Sequence, residues 1–198
     1  MRAFFLTFLY LLGSVSPAAS KKQPKTYSIP LPPKADFSPI EWLLGEWSGK
    51  TTGNSPQGEV HLSVAYDLDQ RFMVFREKVT LAATPSAPGV NESWIGILSG
   101  RGAANEYTLR AFSSTGFITR YRVTVAQAEI HVTPEGGEEP PPGWLFRRTV
   151  ARWGVGELTE TVQAAPPDGS FFDYYTAKLT RAASSSGPTS TGGSEKPK

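Results

Sequence analysis

The sequence predicts an all-β chain: an up-and-down antiparallel barrel of about ten strands, with one short helix near its amino end. Three observations carry this. Apolar and polar residues alternate in short segments, the period of a strand with one buried face. Turn-forming residues separate those segments at hairpin spacing. The chain also holds 19 glycines and 17 prolines in 198 residues, above the roughly 12% of average usage. That punctuation suits many short strands better than long helices. A two-sheet sandwich filled by its own side chains is the alternative. Consecutive hairpins favour the barrel, because they need no crossover and closure removes both exposed edges.

The helix comes first. In Ser38-Pro39-Ile40-Glu41-Trp42-Leu43-Leu44-Gly45, Ser38 can cap, Pro39 suits the first helical position and Gly45 ends the turn. Strands are then predicted over Glu46–Gly53, Gly58–Asp67, Arg71–Ala82, Ser93–Ser99 and Glu106–Phe112. Five more follow over Phe117–Ala126, Glu129–Thr133, Trp144–Trp153, Glu157–Ala165 and Phe171–Thr180. Asp67–Gln70, Gly100–Asn105, Ser113–Gly116 and Gly154–Gly156 read as turns. Pro134–Gly143, with Glu138-Glu139, reads as a solvated loop.

The ends differ from this middle. Arg2, an apolar run from Ala3 to Leu12 and a small-residue exit to Ser20 have the parts of a secretory leader over residues 1–20, cleaved after Ala18 or Ser20. The run is shorter than the roughly 20 residues a membrane span needs. Residues 21–36 are a proline-rich spacer, and residues 182–198 lack large apolar side chains, so both are expected to be disordered. The folded domain is expected over residues 37–181. The mature chain is expected to be periplasmic or secreted.

Composition excludes several functions. There are no cysteines, so disulfide scaffolds, thiolate metal sites and cysteine nucleophiles are absent. Two histidines cannot build a three-histidine zinc site, and a formal charge of +2 gives no electrostatic reason to expect nucleic acid. The serine-elbow, zincin and dinucleotide-loop motifs do not occur. Asp67 and Asp69 lack the rest of a calcium loop. No catalytic residue is nominated.

The stretch Trp42-Leu43-Leu44-Gly45-Glu46-Trp47-Ser48-Gly49 resembles the Leu-x-Gly-x-Trp-x-Gly opening of calycin-type barrels. It is most similar to the nitrobindin and fatty-acid-binding-protein-like branch, with its uncharacterised exported bacterial members. Phe171–Arg181 resembles the closing strand of those barrels. On the residues themselves, Gly45 lets the chain leave the helix at positive φ, Trp47 plugs one barrel end and Gly49 leaves room for it. Nitrobindin-like proteins hold haem through a histidine near the carboxyl end of the barrel. Here no histidine follows His131. By alternation, His61 and His131 both fall on the solvent side, so haem is disfavoured and no other cofactor is expected.

The expected function is binding a small apolar or amphiphilic molecule in the lumen. Arg76, Arg120, Arg122 and Arg148 lie in registers that mix charge with bulky apolar groups, and at least one is expected to face the cavity. An arginine there would pair with an anionic head. Trp94, Tyr121 and Trp144 would supply apolar wall with a polar handle. The competing reading makes each arginine an outer-face cross-strand partner, as with Arg148 and Glu160. A haem-associated enzyme and a protein-interaction barrel remain as alternative functions.

Overall fold

A computed structural model describes residues 28–102 and 104–182. The predicted leader, residues 21–27 of the spacer and all but the first residue of the tail lie outside them. Residues 28–32, the described part of a first unit that ends at Pro32, take neither helix nor strand. The second unit holds a 3-10 helix, Ser38–Leu43, and ten strands: β1 (Gly45–Thr52), β2 (Gly58–Asp67), β3 (Phe72–Leu81), β4 (Val90–Gly100), β5 (Glu106–Ser113), β6 (Ile118–Ala126), β7 (Glu129–Glu139), β8 (Leu145–Gly154), β9 (Glu157–Ala165) and β10 (Phe172–Arg181). Each strand pairs antiparallel with its neighbour in sequence, and β1 pairs with β10 to close the barrel. No described helix is long and apolar enough to cross a membrane.

Strand alternation decides what enters the lumen. Val60, Leu62 and Val64 on β2 are buried, as are Leu158 and Val162 on β9 and Ala177 and Leu179 on β10. His61 and Ser63 on β2 and Lys178 on β10, which alternate with them, lie on the outer face. One end is stoppered by the 3-10 helix, which buries Ile40 and Leu43. Phe37 stacks on Tyr107 with centroids 5.5 Å apart, and the Tyr107 hydroxyl donates to the Asp36 carbonyl at 2.7 Å. Tyr66 donates to Glu41 at 2.7 Å.

The opening motif serves this stopper, with two corrections. Ser38 makes no side-chain cap; instead Asp36 Oδ1 accepts the Ser38 backbone N–H at 2.9 Å. Gly49 does not make room for Trp47. A Cβ at Gly49 would lie 1.8 Å from the Lys178 carbonyl oxygen, so this glycine permits close contact of β1 with β10. Gly45 has φ +122° as expected. Trp47 is buried and donates to the Leu43 carbonyl at 2.7 Å. The Arg181 guanidinium sits 4.3 Å from the Trp47 ring centroid and donates to the Trp42 carbonyl at 2.8 Å, tying the last strand to the helix.

The largest departure from the predicted elements is β7, which runs on to Glu139 through the expected loop. It does so by pairing with β6 across two register shifts. Its pairing with β8 stops early, spanning only Glu129–Val132 against Arg148–Ala151. Past Val132 the β8 side of β7 is a free edge, where Pro134 and the glycines interrupt no ladder.

Candidate functional site: a lumenal cavity over a buried charge cluster

Three strands each place one charged residue in an otherwise apolar inward row. On β3, Glu77 lies between Phe75 and Val79; on β8, Arg148 between Phe146 and Val150; on β9, Glu160 between Leu158 and Val162. An ion in such a row needs partners, since burying it alone is very costly. The barrel supplies them across its width. Arg148 Nη1 donates to both Glu77 Oε2 and Glu160 Oε1. Trp94 Nε1 donates to Glu77 Oε1 at 2.9 Å. The Tyr175 hydroxyl lies 3.2 Å from Glu77 Oε1 and 3.5 Å from Glu160 Oε2. The Arg148 guanidinium also sits 4.6 Å from the Trp94 ring centroid. Among the described residues no buried side-chain nitrogen or oxygen lacks a partner.

The electrostatics follow from this crowding. Burial pushes the Glu160 carboxyl up to about 8, and Glu77 adds to the effect, although Arg148 opposes it. Burial alone would lower the Arg148 pKa, but Glu160 and Glu77 outweigh it and hold the guanidinium charged. The Tyr175 phenol is raised by burial and by both carboxylates, so it stays a hydroxyl donor.

This cluster floors a cavity of about 180 Å³. Its walls are mainly apolar: Val79, Leu109, Ala111, Phe117, Val132 and Val162, with Trp94, Tyr121, Phe146, Tyr174 and Tyr175. Glu92 is the remaining carboxylate on the wall and accepts a hydrogen bond from Ser113 Oγ. Gly96 lets Trp94 and Leu109 pack against the β4 backbone, because a Cβ there would lie 2.5 Å from the Trp94 ring and 2.7 Å from Leu109. The exposed residues Thr115 and Arg147 mark the mouth, where β7 and β8 separate. Beneath the cluster a second void of about 30 Å³ reaches Ile40 and Leu43 of the stopper.

Of the residues singled out from sequence, Trp94, Tyr121 and Arg148 meet at this cavity. Trp144 is 40% exposed and stacks on Phe146 at 6.4 Å, outside the lining. Of the four arginines of which at least one is expected to face the cavity, Arg76, Arg120 and Arg122 lie outside its lining. Met73, Glu77 and Val79 take the inward positions of β3, which turns Arg76 out. Thr119, Tyr121 and Val123 do the same on β6. Outside, Glu135 binds Arg122 at 2.8 Å and Arg101 at 2.7 Å, with Arg120 at 4.0 Å. The Arg148–Glu160 pair offered as an outer-face contact lies inside. Sequence reading missed Glu160 and Tyr175 as floor residues and Glu92 on the wall. The available signal was one charge in each of three apolar rows, with opposite signs that only a shared interior reconciles.

The haem implied by resemblance does not fit these residues. His61 and His131 face outward, with side chains 60% and 43% exposed. They lie 4.0 Å from Glu59 and 3.5 Å from Glu129 respectively. The cavity offers no imidazole, and its lining is sized for a single ring rather than a macrocycle.

Fold and site together define a closed, ten-strand, antiparallel β-barrel with a lumenal cavity. Rv2717c from M. tuberculosis, known as a crystal structure, shares this fold with a TM-score of 0.57 and 18% sequence identity, over 74% of this chain and 97% of that one. A Nostoc punctiforme protein of unknown function, from the DUF3598 family, aligns with a TM-score of 0.48 and 11% identity, over 72% of this chain and 48% of that chain. No protein-family model and no curated protein matches the sequence.

Proposed function

We propose that this chain is a binding protein that holds one compact apolar or amphiphilic molecule in its barrel lumen. The leader-like residues 1–20 support a place of action outside the cytoplasm. The observation that carries the reading is the cavity itself: about 180 Å³ of apolar-walled space above a polar floor whose groups already satisfy one another. An engineered apolar cavity of about 150 Å³ takes up benzene. The expected occupant is therefore ring-sized rather than a long acyl chain. Arg148 is engaged by both Glu77 and Glu160, so the floor offers no spare cation to an anionic head.

Native mass spectrometry of gently purified full-length protein, followed by titration with benzyl alcohol, tests this. The expected result is one bound molecule per chain, lost in Ala111→Phe, whose ring fills the cavity. Failure of any ring-sized probe to bind, or binding that survives Ala111→Phe in a folded variant, would overturn it.

A further inference from the structure

The floor is electrically closed and the wall is not. Glu77 and Glu160 share Arg148, and burial keeps the Glu160 proton on until about pH 8. The titratable groups facing Glu160 are Glu77, Arg148 and Tyr175. With both acids gathered on its guanidinium, Arg148 leaves the floor no surplus positive charge. The other guanidinium on the cavity wall, Arg147, lies 4.1 Å from the Phe171 ring centroid and donates to Gln163 at 2.6 Å.

Glu92 has no such answer. Its partner is the Ser113 hydroxyl, and among the described residues it makes no ion pair. Its charge is felt across the lumen: the Tyr121 and Tyr174 phenols are raised, chiefly by burial and in part by Glu92. The same cavity wall carries the rings of Trp94, Tyr121, Phe146 and Tyr174. An unpaired carboxylate among aromatic rings is a setting for a cation, which gains both an ion pair and attraction to the π faces.

We infer that the lumen selects a small organic cation, a protonated or quaternary amine on a ring-sized apolar body, with its nitrogen drawn to Glu92 and its body held by the aromatic wall. This rests on the lumenal-binding reading and adds a charge preference to it. An anion of the same size meets the Glu92 carboxylate, while the wall's other guanidinium, Arg147, is held at the exposed mouth by Gln163 and Phe171. A neutral isostere gains only the apolar contacts.

Calorimetric titration of the full-length protein at pH 7 with benzylamine, benzyl alcohol and benzoate separates the possibilities, since the three differ mainly in charge. Benzylamine is expected to bind at least about tenfold more tightly than benzyl alcohol, with benzoate weakest. Glu92→Gln should abolish that preference while benzyl alcohol binding persists, which also reports that the variant is folded. Equal affinity for amine and alcohol, or an amine preference that survives Glu92→Gln, overturns the charge assignment and leaves lumenal binding standing. Binding of none of the three overturns both.

Discussion

Glu77 and Arg148 belong to strands five seams apart in either direction around the ring, yet their side chains meet inside it. With Glu160 beside them they form a strut across the middle of the barrel. Trp94 and Tyr175 brace the strut from β4 and β10.

Removing the cation from this strut is the harshest single change available. Arg148→Met should destabilise the fold by about 3–5 kcal/mol, because Glu77 and Glu160 are left buried without their shared partner. Replacing all three, with Glu77→Gln and Glu160→Gln added, should recover much of that loss. Urea unfolding of the two variants beside the parent measures the difference. A single variant as stable as the parent would show that the strut carries no net weight.

Stability should also fall as pH rises. In the folded chain the Glu160 carboxyl is raised from 4.5 to about 8, so between those values the native state binds a proton the unfolded chain has released. Its contribution is fully present below the unfolded value and is lost as pH climbs through the folded one. Glu160→Gln mimics the protonated form without titrating. Its melting temperature should vary less with pH over this window than the parent's, and parallel curves would refute the assignment.

Closure at β1 and β10 should be intolerant of one methyl group. Gly49→Ala puts a Cβ against the Lys178 carbonyl at 1.8 Å, and relief requires backbone movement. A loss of about 1–3 kcal/mol or more is expected. Gly154→Ala is the control, because nothing lies within 4 Å of its Cβ and its φ is not positive. Thermal unfolding of both decides it.

The outer arginines should be irrelevant to the lumen. Arg76→Ala and Arg122→Ala are expected to leave benzyl alcohol affinity within about twofold of the parent, while Ala111→Phe abolishes it. Competitive loss of binding in Arg76→Ala would place that residue in the site.

Much of the fold was legible because alternation and turn chemistry are local. Gly58–Asp67 and Glu157–Ala165 match their predicted spans, and the other strands shift by a few residues at their ends. Strand β7 was hidden because Pro134 and Gly136-Gly137 look like a loop until β7 is seen to bulge at Glu135 and at Glu138 while it pairs with β6. The site was only half legible for a similar reason. A period of two separates the faces of a strand but does not say which face looks inward when both carry charge. On β3 the choice between Arg76 and Glu77 is settled by Arg148, seventy-one positions away in sequence. The Glu135 that neutralises Arg122 was equally out of view.

The short seam between β7 and β8 bears on traffic. It holds four residue pairs where β2 and β3 hold ten. A guest arriving there pushes aside side chains such as Phe146 rather than unfastening a ladder of amides. Loading and unloading should therefore run on the clock of ring flips, and the exchange rate of a guest should be independent of how hard the barrel is to unfold.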